Sequence, residues 1–145
     1  MRALELGAVL FFLAVALYIM RYGFRIWVTR GDPTFTWSTL MTANQLGLNP
    51  LSGWQYEYVP RPSKVSILVR STTAGTRITV YSGSETIQER TPIQAGGTIG
   101  VTPSPLNTVP IQFYAGAGDR LKLAIDEVLG GTPTVDGLIA IDPIA

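Results

Sequence analysis

The chain contains no cysteine and no histidine. Without cysteine there is no disulfide framework. Without histidine the commonest general base and the commonest transition-metal ligand are both missing. Ser–His and Cys–His nucleophilic pairs are therefore excluded. Charge is scarce too. Only 14% of the 145 residues are Asp, Glu, Lys or Arg, against about a quarter in an ordinary soluble domain. There is no Asn-x-Ser/Thr sequon. No stretch has the spacing of a P-loop, and "GAGD" within Tyr114–Asp119 is a lone glycine-rich turn that opens no helix. A dinucleotide fingerprint needs that helix N-terminus. The expectation is a protein that is not an enzyme, with no cofactor, no metal and no small-molecule substrate.

The few charges are unevenly placed. In residues 1–30, Arg2, Arg21, Arg25 and Arg30 stand against Glu5 alone. Residues 54–145 hold seven basic and eight acidic side chains, so that region is close to neutral. Nucleic-acid binding requires a basic face on the folded part, and none is expected here.

The one long apolar run lies at the N-terminus. Fifteen uncharged residues extend from Leu6 to Met20, or roughly 22 Å as a helix against a hydrocarbon core of about 30 Å. Ala3 and Leu4 lengthen it at one end if Glu5 sits near the headgroups. At the other, Tyr22, Phe24 and Trp27 continue it if the arginines snorkel to the interface. The reading is a single transmembrane helix within residues 1–28. Leu6, Leu10, Phe11, Phe12, Leu13, Leu17 and Ile19 would lie in lipid, and Arg21, Arg25, Arg30 and Trp27 at the headgroups. No small-x-small cleavage site follows, which speaks against a secretory signal peptide. Because three arginines trail the span, the positive-inside rule puts the C-terminal domain on the cytoplasmic side.

Residues 29–53 read as a connector. Asp32-Pro33 and Asn49-Pro50 punctuate it. Between them "STLMTANQLGL" has room for a short helix, with Ser38 as its N-cap and Gly47 as its stop. Leu40, Met41, Leu46 and Leu48 are too apolar for a freely solvated linker and are expected on the domain, on a partner or on the membrane surface.

From residue 54 to 145 the apolar residues alternate. Val65, Ile67 and Val69 share a face, as do Ile78 and Val80, Ile99 and Val101, Ile111 and Phe113, Leu121, Leu123 and Ile125, and Ile139 and Ile141. Turn signals separate them: Ala74-Gly75, Ser82-Gly83, Gly96-Gly97, "AGAGD", Gly130-Gly131 and Asp136-Gly137. The last is a strong two-residue hairpin signal. Seven or eight short strands with no helical stretch predict an all-β fold. It would be a small antiparallel β-sandwich, jelly-roll-like, preceded by the transmembrane helix.

Two side-chain groups remain. Asp126, Glu127 and Asp136 flank "VLGGTPTV" and could meet at one end of the sandwich. Their spacing matches no Ca²⁺ loop, and solvated turn carboxylates are expected. Trp54, Tyr56 and Tyr58 alternate in "WQYEYVP" and are expected as a stripe against the domain, with a sugar-stacking platform as the alternative.

Glu5 within an apolar N-terminal helix resembles the type IV pilins, whose glutamate stands at the fifth mature position. Here position 1 is Met, and no prepilin leader is expected. A second resemblance covers the architecture of the whole chain. The short span, the basic stretch after it and the Thr-, Gly- and Pro-rich β-domain resemble minor virion proteins of tailless icosahedral bacteriophages with an internal membrane, the tectivirus-like and corticovirus-like groups. "FYAGAGDRLKLAI…GGTPTVDGLIAI" is similar to small jelly-roll modules of phage structural proteins. That resemblance implies a structural protein tethering an internal lipid bilayer to the capsid. Major capsid or vertex proteins would be its partners in a multi-copy assembly, and its place would be the membrane–capsid interface of the virion. The alternatives are a membrane-anchored adhesion or carbohydrate-binding module and a pilin-like surface subunit.

Overall fold

The structure, a computed structural model, describes residues 7–9, 11–15 and 33–144. The chain divides into two compact units, Met1–Gly31 and Asp32–Ala145. In the first unit, residues 7–9 and 11–15 are helical, and Val9, Phe11, Phe12 and Leu13 are exposed. Among the described residues no helix is long and apolar enough to cross a membrane. Of the residues expected in the span, Leu6, Leu10, Leu17 and Ile19 lie outside the described residues. Glu5 and the expected headgroup set Arg21, Arg25, Trp27 and Arg30 lie outside them as well.

The second unit is mostly β, with two antiparallel sheets. Its strands are β1 (Thr34–Leu40), β2 (Ser63–Ser71), β3 (Thr76–Ser82), β4 (Glu85–Pro92), β5 (Ile111–Ala115), β6 (Leu121–Glu127) and β7 (Thr134–Pro143). The larger sheet has the order β1-β7-β2-β5 and the smaller the order β4-β3-β6. Alternation explains β2, β3 and β6. Val65, Ile67, Val69, Ile78, Val80, Leu121, Leu123 and Ile125 are all buried. They join Phe113, Val135, Ile139 and Ile141 in one cluster fed by both sheets. Burying one such aliphatic side chain contributes about 1.5–3 kcal/mol. The three inward residues of β6 alone thus rival the whole net stability of a small domain, about 5–15 kcal/mol.

Several expectations are corrected. The segment expected as a helical connector enters the larger sheet: β1 pairs antiparallel with β7 from Thr34↔Ala140 to Leu40↔Thr134. "TFTWSTL" is built of Thr and aromatics, which suit a pleated half-buried surface better than a helix. The β-unit accordingly starts some twenty residues before Trp54. Met41 is fully buried, Leu48 bridges to Ile125, and Leu40 and Leu46 stay exposed. The expected strand over "GTIGV" is absent, and Ile99 and Val101 point into solvent. "WQYEYVP" is a turn-rich segment with a single bridge, Tyr58↔Arg120.

The Asp136-Gly137 hairpin is not formed either. Both residues lie inside β7, between β1 and β2. Conversely β4, which alternation did not signal, pairs with β3 across two register shifts. The turns at Ala74-Gly75, at Gly83, at "AGAGD" and at Gly130-Gly131 fall between strands as expected. Gly83 opens the two-residue β3–β4 turn with φ +60°, a conformation that favours glycine.

Candidate functional site

A cleft opens in the β-unit where β5, the edge of the larger sheet, faces β4, the edge of the smaller. Its volume is about 460 Å³. Val69, Ile78, Ile87 and Ile111 give it apolar walls, while Gln88, Gln94 and Gln112 supply amides. No charged side chain lines it. Such a cleft has no group to move a proton at neutral pH. What it offers is apolar burial with amide donors and acceptors, the chemistry that recognises uncharged chain or side-chain surface.

The lip of the cleft is formed by the two ends of the long loop between β4 and β5, Ile93 and Gln94 at one end and Thr108, Val109 and Pro110 at the other. Ile93 donates its N–H to Thr76 O of the smaller sheet, and Ser71 of the larger sheet donates to Gln94 O, so residues 93–94 cross between the sheets. Gly97 then donates to Ser71 O, and Gly100 donates to the Asp136 carboxylate at 3.3 Å. Beyond that tie the loop turns apolar side chains to solvent. Leu106 is 99% exposed and Val109 84% exposed, with Ile99 and Val101 nearby in sequence and also exposed. From Thr98 to Pro110 there is no charged residue.

The three carboxylates weighed as a calcium site do not meet. Asp126 accepts from Gly47 N–H at 2.8 Å. Asp136 is buried and holds Gly100. Glu127, only 1% exposed, closes the turn at the end of β6. Its Oε2 accepts from Asn44 and Gly130 N–H at 2.8 and 2.9 Å, and its Oε1 from Leu129 N–H at 2.8 Å. Burial pushes the Glu127 carboxyl up, but the backbone N–H groups of Asn44, Leu129, Gly131 and Gly130 outweigh it and hold the group below its ordinary value. Glu127 and Asp136 are therefore internal struts, contrary to the expected solvated turn carboxylates. Among the described residues no group of three or more Asp or Glu side chains could hold a metal ion.

The aromatic stripe is divided. Phe35 stacks on Trp54 at 5.5 Å between ring centroids, and Trp54 meets Tyr56 edge-on at 5.6 Å. Both Trp54 and Tyr56 pack on the core, as expected of a stripe against the domain. Tyr58 is turned outward beneath Arg120, whose guanidinium lies 5.9 Å from the ring centroid. Arg120 also binds Glu57 at 2.6 Å. That hydrogen bond, against the opposing effect of burial, holds the Glu57 carboxyl below its usual value. Through Glu57 and Val59 the segment lies along the β5–β6 turn: Leu121 donates to Glu57 O at 2.7 Å and Val59 to Asp119 O at 2.9 Å.

Sequence reading missed the cleft because its walls come from four strands that are distant in the chain. One signal was available for the loop: a run of thirteen residues, Thr98–Pro110, with four large aliphatics, three prolines and no charge.

The β-unit so described is mostly β, with an uncharged cleft between two strand edges and an adjoining loop that exposes aliphatic side chains. No protein-family model and no curated protein matches this chain.

Proposed function

We propose that this chain is a non-enzymatic structural protein that ties a lipid bilayer to a protein shell, in the manner of the minor virion proteins it resembles. The apolar N-terminal segment enters the bilayer, with Arg21, Arg25 and Arg30 at the headgroups. The β-unit docks on coat or vertex subunits from the cytoplasmic, capsid-facing side of that membrane. The observation that carries the reading is the uncharged, aliphatic loop beside the cleft. Four exposed aliphatics, Ile99, Val101, Leu106 and Val109, fall within one uncharged loop, and exposed apolar side chains gathered into one patch mark interaction sites.

The sheet orders support the finer reading of the domain as a jelly-roll sandwich. Residues 45–49 run beside β6: Leu48 exchanges two backbone hydrogen bonds with Ile125, and Glu127 donates to Gln45 O. If that segment counts as a rudimentary strand, the larger sheet reads first-eighth-third-sixth. The smaller then reads second-seventh-fourth-fifth. This is the jelly-roll arrangement, common in viral shells and lectins. Fold likeness alone assigns no role, so the exposed loop remains the main support.

The test is extraction of purified particles with mild detergent. The protein is expected to stay with the shell after lipid is removed, and to release only when shell contacts are broken. Clean departure with the lipid, leaving the shell unchanged, overturns the tether. Binding on a glycan array by the full chain would favour the adhesion alternative.

A further inference from the structure

The β-unit has four sheet edges, and three of them are blunted. The β6 edge is covered by residues 45–49 and by the Glu57–Val59 segment. The β4 edge carries two register shifts and the charges of Glu85, Glu89 and Arg90. The β5 edge is five residues long and starts after Pro110. Bulges, charges, shortness and proline are the devices that keep edges from pairing.

The β1 edge has none of them. Its seven residues, "TFTWSTL", carry no charge, no proline and no glycine. Its register with β7 is unbroken from end to end. Among the described residues, β1 makes backbone pairs with β7 alone.

The direction of the free groups can be read from the flanking bonds. Met41 donates its N–H to Pro133 O, and Ile141 donates to Pro33 O, so residues 33 and 41 sit in hydrogen-bonded pairs with β7. Alternation along an antiparallel ladder then aims the backbone groups of Phe35, Trp37 and Thr39 at β7. Those of Thr34, Thr36, Ser38 and Leu40 aim away from it.

We infer that β1 pairs antiparallel with β1 of a second copy about a two-fold axis at Trp37, joining two larger sheets into one. In that register Thr34 faces Leu40 and Thr36 faces Ser38 of the other copy. Outward residues meet only outward residues, so every free N–H of one strand finds a free C=O of the other. A register slipped by one residue would lose that match. On the outer face the Thr36–Ser38 pairs place hydroxyls opposite hydroxyls, a favourable cross-strand pairing. The strand fits itself, and its lack of charge gives no purchase to a partner chosen by charge. The contact is isologous, as a two-fold dimer requires. This pairing does not depend on the membrane-tether reading.

The test uses the full chain in mild detergent. Sedimentation equilibrium is expected to show a monomer–dimer equilibrium. Thr36→Pro removes one outward donor and no bond to β7, and should abolish the dimer with melting temperature little changed. Should that variant fold poorly, Thr36→Lys with Ser38→Lys sets lysines opposite lysines and should have the same effect. Spin labels at Leu40 should report a single separation of roughly 20 Å in the dimer, six residues at strand rise. A chain that is monomeric at every concentration, whether or not it captures a strand of another protein, overturns the inference. So does a dimer that survives both variants, or a label separation incompatible with the Trp37-centred register.

Discussion

Trp37 of β1 lies across Gly137 of β7, its direct cross-strand partner. A Cβ placed on Gly137 would collide with the Trp37 indole ring. Glycine in a strand interior marks a close approach of this kind, and here it leaves room for the buried Trp37 side chain. Gly137→Ala must push the indole or the strand aside. Overpacking of this sort costs about 1–3 kcal/mol, which urea unfolding of the variant should register as a lower midpoint at unchanged slope. An unchanged midpoint would show that the ring does not occupy that space.

Acid should weaken the fold through Glu127 and Glu57. Both carboxyls are held below their ordinary value of 4.5 when folded. A group depressed in this way stabilises the native state above its unfolded pKa and loses that contribution as pH falls through the folded value. The urea midpoint should therefore hold near neutrality and decline below about pH 4.5. Glu127→Gln should lower the midpoint at pH 7 and flatten the decline. Asp126→Asn keeps an amide oxygen that can accept the single exposed hydrogen bond from Gly47, and should do much less.

Arg90 holds φ at +43° within the β4 edge. The left-handed region costs an L-residue about 1–2 kcal/mol. Its backbone N–H donates to Thr79 Oγ1 at 3.1 Å, which pins the irregularity in place. Arg90→Gly should relieve the strain and raise stability by up to about 1 kcal/mol. Asn44→Gly, at φ +57°, should gain less, because asparagine tolerates that region. Calorimetry on the two variants ranks them, and equal gains would remove the strain argument.

The loop beside the cleft should matter for assembly and little for folding. Leu106→Asp and Val109→Asp replace side chains that already face solvent, and surface changes of this type usually stay within about 0.5 kcal/mol. Both variants should melt like the wild type yet copurify poorly with shells. Normal incorporation of the double variant would move the docking surface elsewhere.

The strands with one clean apolar face were legible from the sequence. Val65, Ile67 and Val69 in β2, and Leu121, Leu123 and Ile125 in β6, announce both their period and their orientation. β4 was not legible because Ile87 is the one large aliphatic it turns toward the core. β1 was hidden by its surroundings: prolines on both sides and a leucine-rich stretch after it imitate a connector. Asp136-Gly137 has the chemistry of a tight turn, but the need for room beside Trp37 overrides it. That need comes from a residue one hundred positions away. Glu127 was misread for a related reason. Its partners are backbone N–H groups at Asn44, Leu129 and Gly130, and nothing in their side chains advertises the bond. The cleft belongs to the same class, being a property of two edges brought face to face.

The larger sheet joins its earliest strand to its latest, with β7 lying between β1 and β2. A ribosome must therefore reach β7, about a hundred residues further on, before β1 can meet its neighbour. Contacts between such distant segments close slowly. A transcript cut short before residue 134 would leave β1 without its native mate.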